Sequence, residues 1–268
     1  MRALSRLSRA LKDPRLEGIA EDSPQFLTEH QKILKTKPMM RNVFLDFYHT
    51  LRNIDQTVFT AEGKRLEVGA GVSFFKEVYS DVLVTDLKQA AHLDQVVDAQ
   101  NLPFKNDSLR AIYGINCFHH FPDVKKFFAE VIRCTPVGGG AILIEPYYGR
   151  FARLLYKHLH HSETFDANQA EWSLPPQIGP QPRPTNQALS YIVFVRDRKK
   201  FEAEFPDLEL VMIQPFRNYL QYLLSGGLNF HQLVPDFLVP GVRGLEFLLS
   251  PFQRALALHH VIVIRKKR

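Results

Sequence analysis

Between residues 64 and 146 the chain alternates short apolar, β-branched runs with amphipathic stretches. RLEV (65–68), DVLVTD (81–86), QVVDA (95–99), AIYGIN (111–116) and AILIEP (141–146) have the length and composition of strands, and 74–79 and Val124–Cys134 have helical spacing. Strands alternating with helices predict a parallel sheet covered by helices on both faces. LELVMIQP (208–215) and HHVIVIRK (259–266) add two further strands, making seven.

Upstream, residues 17–60 read as helical. Ser23-Pro24 is an N-cap followed by proline at the first helical position, and Lys37-Pro38 opens a second helix through Met40, Val43, Phe44, Phe47 and Leu51. Residues 1–16 set Leu4, Leu7 and Leu11 at helical spacing among Arg2, Arg6, Arg9 and Lys12. Such a helix either docks its small apolar face on the body or lies on an anionic membrane surface. Residues 147–187 interrupt the alternation with a helical face (Phe151, Leu154, Leu155, Leu159), followed by a loop holding Pro175, Pro176, Pro180, Pro182 and Pro184. A segment this long and irregular is expected to be a lid or binding element. Residues 216–256 are rich in Leu and Phe but broken by Pro235, Pro240 and Pro251, and read as a helical cap. The expected organisation is a helical arm over 1–62 packed on a ligand-binding domain over 63–268.

Composition narrows the function. With 45% hydrophobic and 23% charged residues, the chain is not a mainly disordered one. The net charge of +6 sits at the ends: residues 1–15 carry +4 and the last four +4, leaving 16–264 at −2. A nucleic-acid-binding fold would carry its basic face on the body, so no nucleic-acid partner is expected. The two cysteines, Cys117 and Cys134, cannot form a disulfide framework and suit a reducing compartment. No apolar run approaches the ~20 residues of a membrane span, and the start lacks the apolar core of a secretory signal. A cytoplasmic location is expected, with peripheral contact at the inner face of the membrane as the option opened by the basic helix.

The strongest chemical signal is Leu66-Glu67-Val68-Gly69-Ala70-Gly71, a strand running into a glycine turn with a helix starting near Ser73. Glycines let a ligand approach the backbone, and ligands of parallel sheets bind at such strand ends. A dinucleotide fingerprint would need glycine at position 74, which is Phe74. Glu67 also suits an ammonium group better than a pyrophosphate. S-adenosylmethionine offers an α-amino group, a sulfonium and no phosphate. Asp86, 15 residues after Gly71, is placed to accept both ribose hydroxyls, and Asp98, 12 residues further on, to accept the adenine amine with the Ala99 N–H at a ring nitrogen.

LEVGAG, VTDL (84–87), DAQNLPFKNDSLRAIY (98–113), INCFHHFPD (115–123) and CTPVGGGAILIEP (134–146) occur in the order and spacing of a known family. Over residues 65–146 the chain resembles the class I S-adenosylmethionine-dependent methyltransferases, most closely the type 11 branch of quinone-biosynthesis and small-molecule enzymes. The resemblance implies an α/β, Rossmann-like, doubly wound sheet of seven strands, mostly parallel with the last antiparallel. It implies S-adenosylmethionine as cofactor and S-adenosylhomocysteine as product. Glu67, Gly69, Ala70 and Gly71 would line the methionine part, Asp86 with Leu87 the ribose, Asp98 and Ala99 the adenine, and Asn116 and Cys117 the methionine carboxylate and sulfonium. Two departures stand out: Ser73 replaces the family's third glycine, and Cys134-Thr135-Pro136 replaces its usual basic residue and leucine.

On the acceptor side, His119-His120-Phe121-Pro122-Asp123 resembles the His-x-Trp-x-Asp stretch of plant O-methyltransferases, whose first histidine is the base. An alcohol is a poor nucleophile at neutral pH and gains from a general base, with His119 favoured over His120. Glu145, Tyr147 and Tyr148 are further candidate acceptor contacts, the tyrosines equally candidates for core packing. His158, His160 and His161 do not share one helical face, so no metal is expected. The expected reaction is O-methylation of a small-molecule, glycan or lipid-linked acceptor. The alternatives are C-methylation of a quinone-like ring, or a non-catalytic cofactor-binding protein.

Overall fold

The computed structural model describes residues 11–20, 23–158, 163–176 and 184–268. Most of the basic N-terminal arm (1–10), parts of the expected lid, His160, His161 and the His158 side chain lie outside the described residues.

One sheet organises the molecule. Its strands are β1 (Lys64–Val68), β2 (Val82–Asp86), β3 (Gln95–Val96), β4 (Leu109–Ile115), β5 (Gly140–Pro146), β6 (Leu208–Pro215) and β7 (His259–Lys266), in the order β3-β2-β1-β4-β5-β7-β6. β1 to β5 run parallel, and β7 lies antiparallel between β5 and β6. The helices used below are α1 (Pro24–Thr36), α2 (Pro38–Val58), α3 (Phe75–Val78), α4 (Val124–Cys134), α5 (Arg150–His158), α6 (Arg198–Glu204), α7 (Tyr219–Leu224) and α8 (Val239–Leu248).

Alternation along the strands builds two cores, because successive side chains leave a strand on opposite faces. Leu66, Ile112, Leu143, Ile262 and Ile264 pack with Phe127, Phe128 and Val131 of α4 and Phe201 of α6. Val84, Tyr113, Ile142, Ile144, Val261 and Val263 pack under Met40, Val43, Phe47, Tyr48 and Leu51 of α2. The apolar positions of α2 recur every three or four residues, which gives it one buried stripe over the sheet. Asp55 falls on the same stripe and is fully buried. Its carboxylate accepts from Arg65 Nε and Arg110 Nε, both at 2.6 Å, and from Tyr113 OH at 2.8 Å. Arg110 also donates to the Asp55 and Phe59 carbonyls, satisfying the end of α2.

Local differences from the sequence reading have local causes. The third strand shrinks to two residues because Asp98 leaves the ladder to accept from the Gln100 N–H at 2.9 Å. The helix after the glycine turn starts at Phe75, since Ser73 Oγ accepts the Phe75 N–H and Phe74 is not helical. Residues 216–256 are helical in α7, α8 and shorter turns. Three of the four C-terminal cations form ion pairs: Arg265 with Glu209, Lys266 with Asp107 and Arg268 with Asp207. Among the described residues no helix is long and apolar enough to cross a membrane.

From β1 the chain moves outward through β2 and β3, then returns to β4 on the other side of β1. Parallel sheets bind ligands at such a switch point, outside the carboxyl ends of the two strands. The turn after β1 and the turn after β4 therefore face each other across the crevice.

Candidate active site

Gly69 and Gly71 both have positive φ, 60° and 53°, which side chains other than glycine rarely adopt. At Gly69 the need is also steric, because a Cβ would lie 2.5 Å from Cys117 Cβ on the opposing turn. At Gly71 nothing lies within 4 Å of that position, so its face is open to a ligand. The turn is fixed from outside. Ala70 N–H donates to the Thr85 carbonyl at 3.0 Å, and Gly71 N–H donates to Asp86 Oδ2 at 2.8 Å. His92 Nε2 sits 2.7 Å from the Gly71 carbonyl.

Glu67 does not face the crevice as expected. It is buried below the turn, where Oε2 accepts from Ser73 Oγ at 2.7 Å. Ser73 in turn pairs with Tyr48 OH at 2.9 Å, and Tyr48 OH accepts the Phe74 N–H at 3.0 Å. The serine in place of a third glycine thus ties the turn to Glu67 and to α2. Burial, reinforced by nearby Asp86, pushes the Glu67 carboxyl up to about 8. A carboxyl raised from its usual 4.5 binds its proton in the folded state and releases it on unfolding at neutral pH. Its contribution to stability is therefore present below about pH 4.5 and lost as pH rises towards 8. Glu67→Gln keeps the acceptor and removes the titration. Urea titrations from pH 5 to 8 should show wild-type stability falling relative to Glu67→Gln, and parallel curves would contradict the buried neutral acid.

Asp86 is half-buried at the end of β2 and accepts from Gly71 N–H and, through Oδ1, from Lys88 N–H at 2.8 Å. Leu87 beside it is exposed, an apolar surface at the rim. Asp98 is half-buried and Ala99 buried in the next turn along the sheet edge. Across the crevice, Asn116 has a φ of 50°, uncommon for a residue with a side chain and a feature concentrated at functional sites. Its Oδ1 is buried with no hydrogen-bond partner in the structure, while Nδ2 lies 3.4 Å from His259 Nε2. An orphaned acceptor here fits a ligand bearing a donor group. Cys117 is buried, and desolvation, with Glu145 nearby, raises its thiol well above the usual range; this is a wall, not a nucleophile.

Past Cys117, a 3₁₀ turn (Phe118–His120) brings two imidazoles together. Glu145, expected among the acceptor contacts, is instead fully buried. Its Oε1 accepts from Cys117 N–H and Phe118 N–H, both at 2.9 Å, and its Oε2 lies 2.6 Å from His119 Nδ1. His119 Nε2 faces Glu163 Oε2 at 3.4 Å, and His120 Nε2 faces Glu163 Oε1 at 3.5 Å. Burial alone would strip the His119 proton, but Glu145 and Glu163 hold it, up to about 10. Desolvation and cationic His119 push His120 down to about 4. Both His119 nitrogens face carboxylates, whereas the His120 ring is 43% exposed. Tyr148 stacks on Tyr191 with centroids 3.9 Å apart, and Tyr147 contacts the His260 ring, so both tyrosines have packing roles.

Three members of this arrangement lay outside the sequence reading. Tyr48 reaches the glycine turn from α2, Glu163 reaches the histidines from the segment after α5, and His92 closes on Gly71. Only Glu163 carried a signal, as the carboxylate next to the histidine-rich 158–161.

Residues 66–143 match the family model described as a methyltransferase domain. None of the curated proteins matches the sequence. Solved structures of similar fold include geranyl diphosphate C-methyltransferase from Streptomyces coelicolor A3(2), 12% identical over 96% of this chain and 89% of that one, with a TM-score of 0.47. Phosphoethanolamine N-methyltransferase 2 of Haemonchus contortus is 10% identical over 94% of this chain and 59% of that one, with a TM-score of 0.48. An S-adenosylmethionine dependent methyltransferase from Mesorhizobium loti is 12% identical over 80% and 96%, with a TM-score of 0.44. The strand order, the glycine turn at the switch point and the family match define the class: residues 66–143 are a class I methyltransferase domain of the type 11 group. Its cofactor is S-adenosylmethionine, and its chemistry is transfer of that cofactor's methyl group.

Proposed function

We propose that the enzyme methylates an oxygen atom of a small-molecule, glycan or lipid-linked acceptor. Gly69, Ala70 and Gly71 would hold the cofactor's methionine part, with the orphaned Asn116 Oδ1 for its amino group and Cys117 beside its sulfonium. Asp86 takes the ribose hydroxyls with Leu87 against the ring system, and Asp98 and Ala99 take the adenine edge. In the reaction the acceptor oxygen attacks the methyl carbon in line, the carbon–sulfur bond breaks, and its electron pair stays on sulfur. Holding the two reacting atoms about 3–3.5 Å apart supplies much of the acceleration.

The observation that carries the choice of oxygen is the convergence of His119, His120 and Glu163 one turn beyond Asn116. A hydroxyl must shed its proton to react, and this cluster of nitrogen and oxygen atoms is suited to activating it. His120→Ala should leave cofactor affinity unchanged and lower turnover by about 10²–10⁴-fold. The assay is S-adenosylhomocysteine release with a panel of phenolic, sugar and lipid-linked hydroxyl acceptors. Full turnover in the variant would remove the cluster from the chemistry, and product methylated at carbon on a quinol acceptor would replace the oxygen reading.

A membrane-borne acceptor agrees with the outer surface. α8 is inverted: Val239 and Glu246 are buried while Leu245, Phe247 and Leu248 are exposed, with Phe237 and Phe252 exposed beside them. Lys12 forms a β-bridge with Phe230, which is itself partly exposed. Together these suit an anionic lipid surface, where each basic residue adds about 1 kcal/mol. Sedimentation with phosphatidylserine vesicles should fall on deleting residues 1–10, on Phe247→Asp with Phe252→Asp, and at high salt. Equal sedimentation of all forms would return the arm to a docking role.

A further inference from the structure

We infer that His119, His120 and Glu163 form a binding site for one divalent transition-metal ion, with a position left open towards the acceptor. The inference deepens the proposed methyl transfer and rests on it for the ion's role, but the site itself stands on the geometry of three side chains.

One ligand atom from each of His119, His120 and Glu163 lies within 4.8 Å of the other two. The two imidazole-to-carboxylate separations, 3.4 and 3.5 Å, exceed the ~2.7–2.9 Å of a close charge-assisted hydrogen bond. They match the edges of a coordination polyhedron: ligands bound about 2.0–2.1 Å from a tetrahedral ion stand about 3.3 Å apart. The carboxylate presents a different oxygen to each imidazole and so stands against both rings.

The surroundings are those of a metal site. A ligating histidine usually donates its other ring N–H to a carboxylate, which fixes tautomer and orientation. Here Glu145 Oε2 lies 2.6 Å from His119 Nδ1, and Glu145 is itself held by the Cys117 and Phe118 N–H groups. Glu163 is steadied in the same way by Gln187 Nε2 at 2.5 Å, and the lid backbone is fastened to the same turn by Asn186 N–H on the His119 carbonyl at 3.1 Å. His119 is buried and His120 partly exposed, so the site has a rigid wall and one accessible side. Two imidazoles and one carboxylate favour zinc, iron, cobalt, nickel or manganese over magnesium and calcium, which prefer all-oxygen sets. Three protein ligands leave room for a substrate oxygen. An acceptor hydroxyl bound there loses its proton to water, and its oxygen, held by the ion, forms the bond to the methyl carbon as the carbon–sulfur bond breaks.

The experiment is calorimetric titration of the chelator-stripped full chain with zinc, manganese and magnesium chlorides, with cobalt(II) uptake followed by its visible spectrum. One equivalent of zinc should bind and magnesium should not, and bound cobalt should show the absorption of a four- or five-coordinate nitrogen–oxygen site. His120→Ala, at a partly exposed position, and Glu163→Gln should each abolish the stoichiometric zinc binding. Glu145→Gln, a positioning variant, should weaken it about 10–100-fold. Cofactor affinity is measured in parallel on the same proteins. Normal S-adenosylmethionine binding without stoichiometric zinc overturns the metal site and leaves proton transfer as the cluster's role. Zinc binding without cofactor binding overturns the methyltransferase reading and leaves the site standing. Zinc retained in Glu163→Gln but lost on replacing His158, His160 and His161 by alanine assigns the ion to the histidine run, and also overturns the inference.

Discussion

Asp55→Ala should destabilise the protein by about 3–5 kcal/mol, the cost of removing one partner from a buried ion pair. The carboxylate is fully buried and is the shared acceptor of Arg65, Arg110 and Tyr113. Removing it leaves the guanidinium of Arg110, itself almost completely buried, beside an unfilled space and leaves the Tyr113 hydroxyl without this acceptor. At about 2–4 °C per kcal/mol for a large domain, the melting temperature should fall by roughly 6–20 °C. Asp55→Leu combined with Arg110→Met, which removes the carboxylate with its more buried cationic partner and refills the volume, should be less destabilised than Asp55→Ala alone. Additive losses in the double variant would show that the cluster does not act as a unit. Because the cluster ties α2 to β1 and β4, its loss should also loosen Tyr48 from the glycine turn and weaken cofactor binding.

S-adenosylmethionine or S-adenosylhomocysteine at ~100 times its dissociation constant should add about 2.7 kcal/mol to the folded state. That corresponds to a rise of roughly 5–11 °C in melting temperature. NAD should produce none. Phe74 fills the position where a dinucleotide site needs glycine, and it is buried against Tyr48 with ring centroids 5.0 Å apart, so a pyrophosphate cannot approach there. Asp86→Ala should reduce the rise, since ribose hydroxyls bonded to a charged acceptor are worth ~1.5–3 kcal/mol. The variant's own baseline should also drop, because Asp86 already accepts from the Gly71 and Lys88 N–H groups. The relevant quantity is therefore the ligand-induced rise over each protein's unliganded value. A shift with NAD and none with S-adenosylmethionine would contradict the cofactor reading.

The elements written in local pattern are legible in the sequence. α4 and the strands β6 and β7 have the ends that alternation and helical spacing predict. Ser23-Pro24 and Lys37-Pro38 start helices because proline at the first position and an N-cap are local features. The candidate cofactor residues are legible for a similar reason, being strung along the turns that follow β1, β2, β3 and β4. The histidine cluster is not. Glu163 meets His119 from 44 residues away, Glu145 from 26, and Tyr48 meets Ser73 from 25. No periodicity encodes such encounters; they exist only once the lid, β5 and α2 have packed. Glu145 shows the hazard: a glutamate at the end of a strand beside the expected acceptor reads as a contact, yet two backbone N–H groups and an imidazole consume it internally.

The antiparallel position of β7 also sets the order in which the molecule can assemble. β1 to β5 lie within residues 64–146, and their neighbours meet through short connections that close early. β5, seven residues buried along their whole length, must then wait for a strand that begins 113 residues after it ends. Until β7 slides between β5 and β6, the half-built sheet presents an unpaired apolar edge, the kind of template that recruits other chains. Recovery from denaturant should therefore depend on protein concentration more steeply than the stability of the finished fold suggests. Residues 259–266, whose His259 reaches Asn116 at one end, are the closure on which the solubility of every earlier intermediate depends.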